Sequence, residues 1–261
     1  MMTKTRSNDG QGTAVMSLPV SKSQQVRGVF EDVSRYVNSR QLDIQVRRDT
    51  VKAWARDLSW CDLLDIGCGD GSISLQLLTS DSHLTMLDLS ENMLRSVQAK
   101  VPDPLSANVQ VRNENFMAAE FHASSFDLVV CVGVLAHVDS PEEFIGKIAR
   151  ILRPGGSLIL AFTDTRHATG RFADFLGSLK ELAAPARYPV NDISFSDVAQ
   201  MFKRNNMKLV STYRYAQVPI PGVNRLLPAG ALHKIVTGVF GRCDHNRNAW
   251  LGNEYICLLT I

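Results

Sequence analysis

From Asp62 onward, short apolar runs alternate with segments of helical period, and few folds accommodate that rhythm. Strands are expected at Leu63–Ile66, Leu84–Asp88, Val109–Arg112, Phe126–Val132, Ser157–Thr163, Leu209–Arg214 and Glu254–Ile261. Helices are expected at Gly71–Leu78, Ser90–Lys100, Pro141–Leu152, Gly170–Leu182 and Ser196–Asn205, and Pro154-Gly155-Gly156 reads as a tight turn into a strand. The strands are nearly continuous in apolar residues, as strands covered on both faces are. Together these features indicate an α/β fold, a doubly wound, Rossmann-like and largely parallel sheet.

The flanks differ. Residues 1–20 are rich in Ser, Thr, Gly, Asn and Gln without periodicity, as expected of a flexible tail. Within residues 21–60, Val26, Val29, Phe30, Val33 and Val37 follow a helical spacing that Val51, Trp54, Ala55 and Leu58 repeat. Two amphipathic helices, forming a cap, are therefore expected before the first strand. The stretch 219–248 breaks the strand–helix rhythm, and its Leu226, Leu227, Leu232, Ile235, Val236, Val239 and Phe240 suit a short amphipathic helix. It is expected to be a lid insertion before the last strand of a main domain spanning 61–261.

Composition excludes several classes. A chain of 261 residues, 45% hydrophobic and 21% charged, is neither disordered throughout nor collagen nor coiled coil. Its 28 basic and 26 acidic residues are too balanced to suggest a nucleic-acid partner. The longest nearly pure apolar run, Leu128 to Ala136, is far shorter than the roughly 18 residues of a membrane span. Five scattered cysteines without CxxC spacing argue against a disulfide framework or zinc ribbon. With no apolar stretch of a secretory signal in residues 1–20, a cytoplasmic location is expected.

The sharpest motif is Leu63-Leu64-Asp65-Ile66-Gly67-Cys68-Gly69-Asp70-Gly71, a strand entering a glycine-rich turn. Many doubly wound folds carry such glycines only to make the turn. Here the spacing is GxGxG, not the GxGxxG that packs beneath a pyrophosphate. Asp65, at the strand end, would repel a pyrophosphate but suits a ligand carrying an ammonium group. Asp88 ends the next strand nineteen positions after Gly69 (88 minus 69), a distance at which a carboxylate can accept from both ribose hydroxyls. Ser90 already fills the helix N-cap role, which leaves Asp88 for a ligand. The two signals favour an adenosine ligand with a positive charge and no phosphate.

These residues resemble the class I S-adenosylmethionine-dependent methyltransferases over about Val51 to Thr163. Asp65-Ile66-Gly67-Cys68-Gly69-Asp70-Gly71 is similar to that family's first motif, and Ser125-Phe126-Asp127-Leu128-Val129-Val130 to its second. Val134-Leu135-Ala136-His137-Val138-Asp139-Ser140-Pro141 and Leu152-Arg153-Pro154-Gly155-Gly156 resemble two further family motifs. Two positions depart: Asn115 stands where the family usually has Asp, and Ala136 where it often has Glu. An Asn oxygen can still accept from an adenine amino group.

The resemblance implies a seven-stranded sheet with the last strand inserted antiparallel, and S-adenosyl-L-methionine as cofactor. It implies Asp65, Gly67, Cys68 and Gly69 around the methionine part, Asp88 on the ribose, and Leu89, Met93, Asn115 and Phe116 around adenine. Val132, at the end of the fourth strand, completes the expected cofactor set. The motifs look most like the ubiquinone and menaquinone group, which includes many tailoring enzymes of secondary metabolism.

Methyl transfer from a sulfonium is an in-line displacement, and a base is needed only where the nucleophile must lose a proton. His137, just past the fourth strand, is a candidate base or a scaffold for the following helix. His167, past the fifth strand, is a second candidate on the same edge. Tyr36 and Tyr188 are candidate walls of the substrate pocket. No metal is expected, because the fourth strand ends Cys131-Val132-Gly133-Val134 without an acid. Cys68 and Cys131 suit small buried apolar positions. The expected function is methylation of a small molecule on O, N or C. A tRNA or protein methyltransferase and a non-catalytic cofactor-binding relative are the alternatives, and a homo-oligomer through the N-terminal helices or the lid is left open.

Overall fold

Leu63, Leu64 and Ile66 carry almost no exposed surface, because their strand β1 (Asp62–Ile66) lies inside a sheet with helices on both faces. The computed structural model describes residues 33–169, 171, 190–216 and 227–261, and within 34–40 the backbone alone. Strands β2 (His83–Asp88), β3 (Val109–Asn113), β4 (Phe126–Val132), β5 (Leu152–Thr163), β6 (Lys208–Tyr215) and β9 (Glu254–Thr260) join β1 in the order β3-β2-β1-β4-β5-β9-β6. All neighbours run parallel except β9, which is antiparallel to both β5 and β6. The expected seven-stranded, mostly parallel, doubly wound sheet is present.

Alternate residues of each strand feed two cores. Leu64, Val129, Leu160 and Leu259 face helices α3 (Pro141–Ile151) and α4 (Phe195–Arg204), which contribute Phe144, Ile148, Val198 and Phe202. Leu63, Met86, Val130 and Ile256 face helices α1 (Val33–Arg56), α2 (Glu91–Lys100) and α5 (Ala229–Phe240). At roughly 25 cal/mol per Å² of apolar surface removed from water, these layers are the main stabilising force.

Four local expectations change. Residues 33–56 form one helix where the apolar spacing suggested a break. Asp43, Arg47 and Thr50 are turned inward and buried, so polar residues occupy the apolar stripe midway and hide its continuity. The expected helix Gly71–Leu78 is a series of turns with one 3-10 turn at Leu75–Leu77. Gly71 sits at φ +78°, and the hydroxyls of Ser72 and Ser74 bond to Asp70 and Asp65, competing with a helical ladder. The Pro154-Gly155-Gly156 turn is a bulge within β5: Phe126 pairs with Leu152 and Leu128 with Ser157, so 153–156 loops out opposite Asp127. In the insertion, α5 is joined by a short hairpin, β7 (Gly241–Arg242) and β8 (His245–Asn246).

Residues 1–32, Tyr188 and the expected helix 170–182 apart from Arg171 lie outside the described residues, as does the Tyr36 side chain. Among the described residues no helix is long and apolar enough to cross a membrane.

Candidate active site at the carboxyl edge of the sheet

The strand order reverses between β1 and β4, and in open α/β sheets ligands sit outside the carboxyl ends of the strands at such a point. A cleft opens there with about 920 Å³ of space, its open mouth included. Its walls are Gly67 and Gly69 after β1, Asp88 and Leu89 at the end of β2, Met93 of α2, Glu114 to Met117 after β3, and Val132 to Val134 and His137 to Asp139 at and beyond the end of β4.

The turn after β1 is held from one neighbouring strand. The N–H groups of Gly67 and Cys68 both donate to the carbonyl of Leu87, at 2.8 and 3.1 Å. Gly67 has φ +70°, and a β-carbon there would collide with the Val134 side chain. Any other residue would therefore strain the backbone and fill the cradle.

Asp88 joins this turn to the next strand. Its Oδ2 accepts the Gly69 N–H at 2.9 Å and its Oδ1 the Ser90 N–H at 2.8 Å. Burial pushes its carboxyl pKa up, against the opposing pull of those N–H donors. Each carboxylate oxygen keeps lone-pair capacity for a further donor. Ser90 caps α2 through Met93 N–H, as its position suggested.

Asp65 and Cys68 do not line the cleft. Asp65 is buried behind the turn, where the Ser74 hydroxyl donates to its Oδ2 at 2.5 Å. Burial raises its carboxyl to about 7. Cys68 is buried too, and burial with the nearby Asp65 carboxyl holds its thiol well above the usual range. Such a thiol is a packing group and not a nucleophile.

Beyond β3, Asn115 Oδ1 accepts the Met117 N–H at 2.8 Å, closing a tight turn with one lone pair to spare. Phe116 is buried edge-on against Phe144, with ring centroids 5.0 Å apart. Lys147 on α3 pins this loop. Its Nζ donates to the carbonyls of Phe116, Met117 and Ala119 at 2.6, 3.0 and 2.5 Å.

His137 stands in a 3-10 turn, Leu135–His137, that forms a wall of the cleft. Asn191, from the segment after β5, fastens that turn. Its N–H donates to Ala136 O at 2.8 Å and its side-chain amide to Val138 O at 2.8 Å. The structure does not bring His167 here. Its Nδ1 lies 2.8 Å from Thr169 Oγ1 and its Nε2 3.2 Å from Arg214 Nη2, which face β6 and the 251–252 backbone.

Residues 64–160 match the family described as a methyltransferase domain. The demethylmenaquinone methyltransferase of Listeria welshimeri is 30% identical over 159 residues, covering 58% of this chain and 67% of that protein. The chain belongs to the class I S-adenosylmethionine-dependent methyltransferases. The ubiquinone biosynthesis O-methyltransferase of Xanthomonas oryzae is 33% identical over 117 residues, 44% of this chain and 48% of that protein. Two solved structures share the fold: an S-adenosylmethionine-dependent methyltransferase of Thermotoga maritima (TM-score 0.65, 15% identity, 92% of this chain and 99% of that one) and the magnesium protoporphyrin IX methyltransferase of Synechocystis with S-adenosylhomocysteine bound (TM-score 0.61, 16% identity, 92% and 99%).

The cofactor of this methyltransferase is S-adenosyl-L-methionine, and the cleft fits it. A carboxylate with spare acceptor capacity, the apolar Met93 and Phe116 in the wall, and glycines at 67 and 69 match a ribose, an adenine and a close-lying thioether chain.

One cation next to the site escaped the sequence pattern. Arg47, 8% exposed on α1, would lie 3.2 Å from a β-carbon on Gly133, a wall of the cleft. Its Nη2 pairs with Glu254 Oε2 at 3.0 Å, and Thr163 donates to Glu254 Oε1 at 2.8 Å. The available signal was a charged residue inside an apolar helical stripe. Asn191 and Lys147 carried none, since each acts through distant backbone carbonyls. Of the segments expected to cover the site, α1 comes nearest, with Arg47 behind the wall residue Gly133. The described part of the insertion, 227–248, contributes no side chain to the cleft. Among the described residues no group of three or more His, Cys, Asp or Glu could hold a metal ion.

Proposed function

We propose that this methyltransferase methylates a small molecule of quinone or related natural-product type in the cytoplasm. The observation that carries this proposal is the likeness to demethylmenaquinone methyltransferase, which spans two thirds of that protein, together with a methyltransferase-domain match over 64–160 that includes the whole cleft. The likeness to a ubiquinone biosynthesis O-methyltransferase points to the same acceptor class.

When bound, the cofactor supplies an electrophilic methyl group on a sulfonium. Asp88 holds the ribose hydroxyls, while Leu89, Met93, Asn115 and Phe116 enclose the adenine. Gly67 and Gly69 leave room for the methionine chain, with Asp65 and Cys68 shaping the turn from behind and Val132 bounding it from β4. Arg47 supplies positive charge at Gly133 for the methionine carboxylate. Within the 21–60 cap, α1 carries Arg47 to Gly133 at the cleft wall. The acceptor enters along the His137 wall, where the imidazole takes the proton of a phenol or amine, or orients the acceptor when no proton must leave.

The test is incubation with methyl-labelled cofactor and extracts or demethylated quinones. Label in a solvent-extractable small molecule is the expected result. Label confined to RNA or protein would overturn the acceptor class, and cofactor binding without turnover on any acceptor would overturn catalysis.

A further inference from the structure

Helix α5 is apolar on two sides but buried on one. Leu232, Val236 and Phe240 pack into the core, while Ile235 and Val239, one turn apart, remain 43% and 40% exposed. Trp250 is 70% exposed. It lies beside the end of α5, because the Asn248 side-chain amide donates to the Val239 carbonyl at 2.8 Å. The neighbouring Lys234, Arg242 and Arg247 are exposed, and across 227–250 Asp244 is the single acid.

We propose that Ile235, Val239 and Trp250, flanked by Lys234, Arg242 and Arg247, form a docking face for an anionic phospholipid surface. Branched aliphatics exposed on one helical face, a tryptophan exposed in a nearby turn and basic residues around them are the composition of a peripheral membrane contact. The tryptophan ring is suited to the headgroup boundary, where its N–H stays wet and its ring is buried. The basic margin complements anionic headgroups. A second copy is a poorer occupant. A two-fold contact would set the two basic margins against each other, and three apolar side chains fall well short of the roughly 800 Å² per partner of a stable interface. This face is separate from the cleft, so it stands whatever the acceptor proves to be.

The experiment is sedimentation of the full chain with vesicles of phosphatidylcholine alone and of equal parts phosphatidylcholine and phosphatidylglycerol. Binding to the anionic vesicles, a blue shift of tryptophan emission and release by high salt are expected. The Lys234→Gln, Arg242→Gln, Arg247→Gln triple variant should bind at least about tenfold more weakly. The Trp250→Phe variant should lose the blue shift. All four positions are exposed, so thermal melts should match the parent and separate binding loss from misfolding. Absence of sedimentation with either vesicle would overturn the proposal. So would undiminished binding by the triple variant, or a concentration-dependent dimer that shields Trp250 from acrylamide.

Discussion

The Asp88 carboxylate accepts the backbone N–H of Gly69 at 2.9 Å, so the acid that ends β2 and the glycine turn after β1 act as one unit. Replacing Asp88 removes both a ligand acceptor and a brace of the turn. Asp88→Ala should weaken binding of S-adenosylhomocysteine by at least tenfold in calorimetry, since a hydrogen bond to a charged group contributes about 1.5–3 kcal/mol. Asp88→Asn, which keeps one acceptor, should lose less. Unchanged affinity in the alanine variant would remove Asp88 from the site.

Asp65 makes stability depend on pH. Burial raises its carboxyl to about 7 in the folded protein, from an ordinary value of 3.8. Between those values the folded state holds a proton that the unfolded chain releases. Its contribution is therefore full below about pH 4 and is lost as pH rises through about 7. Urea unfolding of the parent and Asp65→Asn from pH 4 to 8 isolates this group. The asparagine variant should gain relative to the parent with rising pH, by a few kcal/mol on the order of 1.4 per pH unit. Parallel curves would contradict the assignment.

Arg47 and Glu254 form a buried pair that ties α1 to β9. Arg47→Met should cost about 3–5 kcal/mol, because it leaves the Glu254 carboxylate buried without its counter-charge. Adding Glu254→Gln should recover much of that stability in thermal melts without restoring cofactor affinity. Recovery of both would make Arg47 purely structural.

Lys147 holds the loop that carries Asn115 and Phe116 by three carbonyls. Lys147→Met keeps an unbranched apolar side chain but deletes the donors and the ammonium that sits 5.0 Å from the Phe116 ring centroid. The KM for S-adenosylmethionine should rise several-fold while kcat changes little, since the acceptor side is untouched. A fall in kcat at unchanged KM would place the effect elsewhere.

Asn191 fastens the His137 turn. Asn191→Ala should lower kcat by roughly tenfold, with cofactor affinity within about twofold of the parent, as expected when a reacting wall loses its alignment. Equal loss of both would point to general destabilisation.

Most of this protein was legible where the information is local. The strands β1, β2 and β4, the glycine turn and Asp88 rest on short-range patterns: apolar runs, positive-φ residues and a fixed offset along a strand–turn–helix unit. Local side-chain chemistry also misled. Gly71 to Leu78 has a helical apolar spacing, but Ser72 and Ser74 bond to aspartates and unwind it.

His137 and His167 were indistinguishable by sequence, since each follows a strand on the same edge. Only the sheet order separates them: β4 adjoins β1 at the reversal, whereas β5 lies one strand farther out. Arg47 shows the same limit, because its partner Glu254 is 207 residues away. Periodicity reports which face of an element is buried, not which distant element covers it. By itself the sequence determined most strands, the glycine turn and the acid beside it. The tertiary structure decided which polar groups converge on the cleft, because that depends on strand order and on long-range pairs with no local signature.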